Sequence, residues 1–346
     1  MPTWTKPSRS FAATSSKVRP PTLLNRPQIN DEAWNALIDT SVHPIVYAYT
    51  WYLDCVSPEW KALVWASAQN YEIVMPLPVK KKWGFSAVQQ PLFCQYLGLF
   101  SREEITEEST VVFLESVSRH FSYISAYNFH PWHTPLLRKL LSSHSEFEVK
   151  EVAAHWLNVA KSYSKVASHY ANDRRRNLKK SRKYDWQCFD SQDIEPLILL
   201  FQENHASKIQ NVKESAYVLL RSLVDIVLKK SMGRIQYASL SGKFHAGVVI
   251  LEKNDMGIYI FNAANAIGRK GNARTFLLDQ YFQKTAEQLQ VFDFESPEAE
   301  SIAAFYQSFG AKKRVFVSIK KNNLPFPLRQ LQQFRKWFFL RRRAGA

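Results

Sequence analysis

The chain is poor in the residues that would have assigned it a class at once. Its three cysteines, Cys55, Cys94 and Cys188, form no CxxC pair, which excludes a disulfide scaffold and a cysteine-ligated zinc site and suits a reducing compartment. Ten glycines in 346 residues exclude a collagenous chain. No apolar run approaches the roughly 18 residues a membrane span requires. No Ser-His-Asp or Cys-His signature can be picked out. Acidic residues are missing from both ends, with none before Asp31 and none after Glu300.

What is present is a large apolar stock. With 46% hydrophobic and 14% aromatic residues, the chain can bury enough surface to offset its conformational entropy, and its length favours two domains over one. The net charge of +16 is confined to the termini: five basic residues precede Asp31, eleven follow Glu300, and the stretch between is balanced. Charged partners are therefore expected at the ends.

Residues 1–30 are rich in Ser, Thr, Pro and Arg without a continuous apolar segment. They read as a disordered basic extension, with an organellar targeting segment as the alternative. In residues 324–346, Leu324, Leu328, Leu331, Phe334, Trp337 and Phe338 recur at helical spacing among Arg329, Arg335, Lys336 and Arg341 to Arg343. This predicts a basic amphipathic helix from Pro327 onward, suited to docking on its own domain or lying on an anionic membrane.

Between the ends, periodicity predicts helices over 193–207 and 214–230, strands over 234–240, 244–251 and 257–262, a helix over 272–289, a strand over 291–294, a helix over 298–309 closed by Gly310, and a strand over 314–319. The same order, looser, is expected over residues 31–160. There is no residue-level repeat, so the duplication is one of topology. Residues 161–190 link the halves, and Arg174-Arg175-Arg176-Asn177-Leu178-Lys179-Lys180 packs its cations on a connecting helix, read as either a solvated face or a phosphate contact.

This order resembles the GNAT acyltransferase fold, and its doubling resembles the FemAB-like transferases. The basic helix of residues 172–182, VFDFES at 291–296 and AAFYQSFGA at 303–311 are similar to segments of that family. WYLD at 51–54, VMPLPVKKKWG at 74–84 and QQPLFCQYLGLFS at 89–101 resemble uncharacterised bacterial GNAT-like proteins. The resemblance implies an α/β chain of two tandem GNAT-like domains with mixed sheets, 31–160 and 191–323, facing each other across a groove.

It also implies acyl or aminoacyl transfer to an amine, with acyl-CoA or aminoacyl-tRNA as the donor substrate and no tightly bound cofactor. The acceptor would be a small molecule or an envelope precursor, and the setting the cytoplasm, with peripheral contact at the inner face of the membrane through the basic tail as the second option. The alternative is an inactive GNAT-like protein that grips RNA or anionic lipid. In the GNAT fold a splayed strand pair and the next helix N-terminus hold the donor. Here that loop is AIGRKGNAR, 266–274, where Gly271 and Ala273 match the family pattern, glycine stands at 268 and Arg269 comes one place late. An ordinary glycine turn is the competing reading.

Candidate donor-binding residues are Asn262, Asn265, Arg269, Lys270 and Gly271. Candidate catalytic residues are Asp293 and Glu295, which share a strand face, and Tyr306. Substrate-binding candidates are Trp51, Tyr52, Gln90, Gln95 and Arg174. Where the family commonly has a lysine beside the segment matching 305–307, this chain has Tyr306 and Gln307. Cys94 is read as a small buried thiol. His130-Pro131-Trp132-His133 is not expected to hold a metal, because Pro131 breaks a helix there and no third ligand is near.

Overall fold

The computed structural model describes residues 19–66, 70–82, 85–142, 145–204, 212–253, 255–296, 299–330 and 334. The first half contains β1 (Thr22–Asn25), α1 (Asp31–Thr40), α2 (Thr50–Val56), β2 (Lys61–Ala66), β3 (Tyr71–Leu77), β4 (Val79–Lys82), β5 (Phe85–Gln89), β6 (Phe100–Ser101), α3 (Glu107–His120), β7 (Tyr123–Asn128), α4 (Thr134–Leu141) and β8 (Glu148–Asn158). Two helices, α5 (Tyr163–Ser168) and α6 (Asn172–Ser181), connect the halves. The second half contains β9 (Gln187–Ser191), α7 (Glu195–Asn204), α8 (Glu214–Lys229), β10 (Gly233–Leu240), β11 (Lys243–Lys253), β12 (Met256–Ala264), α9 (Ala266–Lys270), α10 (Ala273–Thr285), β13 (Val291–Asp293), α11 (Glu300–Gln307) and β14 (Lys312–Asn322).

Local chemistry accounts for several boundaries. Helix α3 starts at Glu107, because the Thr106 hydroxyl caps it by accepting from the Ser109 amide at 3.2 Å. The β10–β11 hairpin turns on Ser241 and Gly242, both at positive φ (52° and 76°), a conformation glycine adopts without strain. Gly310, at φ +89°, carries the chain out of α11 toward β14.

The expectation that residues 1–30 are disordered fails from Arg19 on. Strand β1 pairs antiparallel with β2, Thr22 opposite Val64 and Asn25 opposite Lys61. Arg26 follows it, donating to Asp54 (2.7 Å) and Asp31 (2.9 Å) over the Trp60 ring. A bidentate guanidinium pair ties down what composition alone reads as loose. At the other end, residues 328–330 are helical, and the remainder of the amphipathic helix expected from Pro327 lies outside the described residues apart from Phe334.

Two sheets form. One has the order β1-β2-β3-β6; the other has ten strands, β4-β5-β7-β14-β8-β13-β12-β11-β10-β9. The halves therefore do not keep separate sheets, as two copies facing across a groove would. The final strand, β14, inserts between β7 and β8 of the first half, antiparallel to both, with Phe316 opposite Val152 and Ser318 opposite Asn128. On its other edge β8 pairs with β13 of the second half, Asp293 opposite Trp156.

Two apolar clusters sandwich this continuous sheet. The larger joins α1, α2, α7, α8 and the first-half strands; the smaller joins α5, α6, α10 and α11 to the other face of the second-half strands. No described helix is long and apolar enough to cross a membrane.

The exchanged strand sets a test. Phe316, 1% exposed on β14, packs its ring 5.6 Å from Tyr96 of the first half. Phe316→Ala is expected to cost about 3–5 kcal/mol, and denaturant unfolding of the variant should remain one transition by fluorescence and circular dichroism. Two separated transitions would show that the halves are independent.

Candidate active site

Strand β13 lies in the middle of the ten-stranded sheet, where the first half meets the second. Its sequence alternates: Phe292 and Phe294 point into the smaller cluster, so Asp293 turns its side chain toward the first half. Asp293 is fully buried. Its carboxylate accepts from the Tyr96 hydroxyl and, at 2.7 Å, from the Glu295 amide. Trp156 Nε1 in turn donates to the Tyr96 oxygen at 3.3 Å.

Glu295, two residues on and at φ +59°, is partly buried and accepts from the Tyr47 hydroxyl. Among the described residues neither carboxylate is in an ion pair. Burial, and then the charge of Glu295, push the Asp293 carboxyl well above its ordinary range. Burial pushes Glu295 up to about 7, opposed by the hydrogen bond from Tyr47. Asp293 thus holds its proton to higher pH than a free aspartate, beside a Glu295 raised to about 7, a value suited to a general base.

Beside the carboxylates the sheet opens. Strands β12 and β13 run parallel and pair only from Met256–Val291 to Ile258–Asp293, while β12 continues to Ala264. This is the expected splay. Tyr306 reaches its neighbourhood from α11, with its ring stacked on Phe294 at 4.6 Å and on the same side as Tyr259. Burial holds the Tyr306 phenol above its usual range; Glu295 adds to this and Arg274 opposes it. Arg274 donates to Asn262 Oδ1 at 2.8 Å, and the Tyr259 hydroxyl is buried without a hydrogen-bond partner among the described residues.

The other expected residues are placed differently. Asn265 caps α9, accepting from the Gly268 amide at 2.9 Å and contacting His245 at 3.0 Å. Arg269 is exposed and donates to the Ala264 carbonyl at 2.7 Å, and Lys270 is exposed. Gly271 is packed against aromatic rings. A Cβ there would meet Trp186 Cζ2 at 2.4 Å and Tyr184 at 2.9 Å, and Trp186 Nε1 donates to the Gly271 carbonyl at 2.9 Å. Its missing side chain makes room for an indole.

Arg174 is likewise not poised toward substrate. It is 3% exposed, donates to Ser308 at 2.7 Å and to Thr275, and lies over Phe305 and Phe309 at 4.3 and 4.5 Å, so it bolts α6 to α10 and α11. Burial lowers its pKa to about 10.

In the first half, Tyr52 is buried and donates to the Phe93 carbonyl, its ring 5.3 Å from Tyr47. Trp51 is half-buried beside Tyr49, under Lys230 at 5.4 Å. Gln90 donates to the Cys94 carbonyl at 2.6 Å and accepts from Asn128 N at 3.0 Å; the Gln95 carbonyl accepts from Asn128 Nδ2 at 2.8 Å. Both glutamines shape the loop that carries Tyr96. Cys94 is buried and its thiol is pushed up by desolvation.

Tyr47, Tyr96 and Trp156 were not singled out in the sequence, and His130 was considered there only as a metal ligand. His130 sits 2% exposed, 4.8 Å from Tyr96 and 5.5 Å from Trp156, with both ring nitrogens unpartnered among the described residues. Burial keeps it neutral. Among the described residues no group of three or more His, Cys, Asp or Glu is gathered to hold a metal.

No family model matches the sequence, and no curated protein does. Solved structures are more informative. FemX aligns over 88% of this chain and 98% of its own at a TM-score of 0.65 and 11% identity. A tandem GNAT protein from the clavulanic acid biosynthesis pathway aligns over 88% and 99% at 0.53 and 10%, and L-PGS from Bacillus licheniformis over 88% and 96% at 0.51 and 9%. The chain has the tandem GNAT fold. Within that fold, β10 to β13 with α10 supply the splayed pair and its following helix, and the Asp293–Glu295 pair stands at the end of the shorter strand.

A carboxyl whose folded pKa is raised from 4.5 to about 7 contributes its full stability below pH 4.5 and loses it as pH climbs through 7. Glu295→Gln keeps an acceptor for Tyr47 and removes the ionisation. Relative to the natural protein it should be near neutral at pH 4 and gain up to about 3 kcal/mol by pH 8. Thermal melts across that range read the gap; a gap independent of pH would mean that Glu295 titrates as an ordinary surface acid.

Proposed function

We propose that this chain is an acyl or aminoacyl transferase in which Glu295 takes the proton from an amine acceptor. The observation that carries this reading is a desolvated carboxylate with no ion-pair partner among the described residues, raised to about 7 and held against Tyr47, beside the open end of the β12–β13 pair. In the proposed step the amine nitrogen attacks the acyl carbonyl carbon, forming the C–N bond. The carbonyl oxygen takes the negative charge, and collapse expels the donor's thiolate or ribose oxygen. Glu295 accepts the proton that leaves nitrogen.

Backbone amides of β12 beyond Ile258 are the candidate oxyanion donors, and Tyr306 is the candidate acid toward the leaving group. The donor is an acyl-CoA or an aminoacyl-tRNA; the tandem GNAT protein named above is itself described without AcCoA. The acceptor is a small amine or an amine-bearing envelope precursor. Reaction at the inner face of the membrane, through the basic tail, belongs to the same reading.

The packing of Trp186 over Gly271 favours a second reading, a binding protein without donor chemistry. In it, RNA or anionic lipid would meet the exposed Arg175, Arg176, Lys179 and Lys180 of α6.

Titrating acetyl-CoA, longer acyl-CoAs and aminoacyl-tRNA, followed by single-turnover assays with amine acceptors, separates the two readings. The transferase should bind one donor and show a rate that rises with an apparent pKa near 7. Glu295→Gln should lower kcat by about 10²–10⁴-fold and leave donor Kd unchanged. Absence of saturable donor binding, or a fully active Glu295→Gln, would favour the second reading.

A further inference from the structure

A hollow of about 230 Å³ lies where β8 outruns β14; it shares Trp156 with the carboxylate cluster, but Asp293 and Glu295 are not among its lining residues. Strand β14 begins at Lys312, opposite Trp156, so Leu157 and Asn158 extend past its start. Helix α5 and the turn at Gly310 close over them, and the lining includes Lys161, Lys165, His169, Lys312 and Arg314. None of the lining residues is Asp or Glu. Among the described residues, none of these four lysine and arginine side chains is in an ion pair.

The hollow is a product of close packing. Gly310 at φ +89° brings the chain so near α5 that a Cβ there would stand 2.8 Å from His169 Cβ. Lys312 and Arg314 are two apart on one strand and project to one face. Arg314 lies 5.9 Å over the Trp156 ring, which orients its guanidinium. Lys161 and Lys165 approach from the opposite wall on α5 and the residues before it. Four like charges converging on one concavity repel each other and raise the local potential, and concave walls focus that field.

We propose that this hollow binds the diphosphate group of a small molecule, with Arg314 engaging one phosphate through paired N–H donors and Lys161, Lys165 and Lys312 neutralising the remainder. Four cations suffice for the two to three negative charges of an esterified diphosphate, whereas a single carboxylate would leave most of them uncompensated. Arg supplies the planar fork and Lys the point charges that phosphate oxygens accept. The site is separate from the α10 N-terminus and from the exposed face of α6.

Isothermal titration of the full chain with inorganic pyrophosphate, at about 50 mM salt, tests it. One saturable site is expected, with orthophosphate at least 10-fold weaker. Lys312→Gln/Arg314→Gln on one wall and Lys161→Gln/Lys165→Gln on the other should each weaken pyrophosphate at least 10-fold. Lys179→Gln/Lys180→Gln on α6 should change it less than 2-fold. All of these positions are exposed, and thermal melts confirm that the variants fold. The proposal is overturned if pyrophosphate shows no saturable binding, if the α6 variant loses as much affinity as the hollow variants, or if a single-stranded RNA binds through these residues while pyrophosphate does not.

Discussion

One ladder holds the architecture: β14, the end of the second half, hydrogen-bonded on both edges to strands of the first. Without it β7 and β8 would each present an open edge, and the first half would lose the strand that carries Phe316, Val317 and Ile319 into its core. Because β8 also pairs with β13, the same exchange fixes Trp156, Tyr96 and Asp293 relative to one another. The carboxylate cluster draws Asp293 and Glu295 from one half and Tyr47 and Tyr96 from the other, and no hinge lies between them.

Much of the fold could be read from the chain because helix and strand periodicities differ and turn residues punctuate them. The meander of β10 to β12 and the alternation in Val291–Ser296 are local properties, and the latter placed Asp293 and Glu295 on a shared face. Their partners were not local: Tyr96 is 197 residues from Asp293 and Tyr47 is 248 from Glu295, and nothing in the spacing of tyrosines announces such a contact. The strand exchange escaped for the same reason, since two similar orders of elements do not reveal which edge of which sheet the last strand joins. Composition misled at β1, where pairing with β2 and the Arg26–Asp54 contact override a turn-rich sequence. The loop pattern that singled out Gly271 did not announce its packing against Trp186, which comes from 85 residues away.

Electrostatics divides the interior into two costly environments. On one face of the sheet two carboxyl groups lie without an ion-pair partner among the described residues, and both hold their protons to higher pH than free side chains do. On the other, Arg174 lies without a paired carboxylate, its charge satisfied by Ser308, Thr275 and two phenyl faces. Uniting them in a salt bridge would lower the cost of both. Kept apart, each retains the perturbed protonation that a bridge would abolish, and the sheet between them prevents the union.

The shared sheet also limits how this molecule can breathe. Paired domains that are merely tethered can swing open like a clamshell around an incoming ligand, but here such a motion would tear a row of main-chain bonds along β7, β14 and β8. Adjustment is left to loops and side chains, so the distance across the Tyr47, Tyr96, Asp293 and Glu295 cluster is set when the polypeptide folds and not when a ligand arrives.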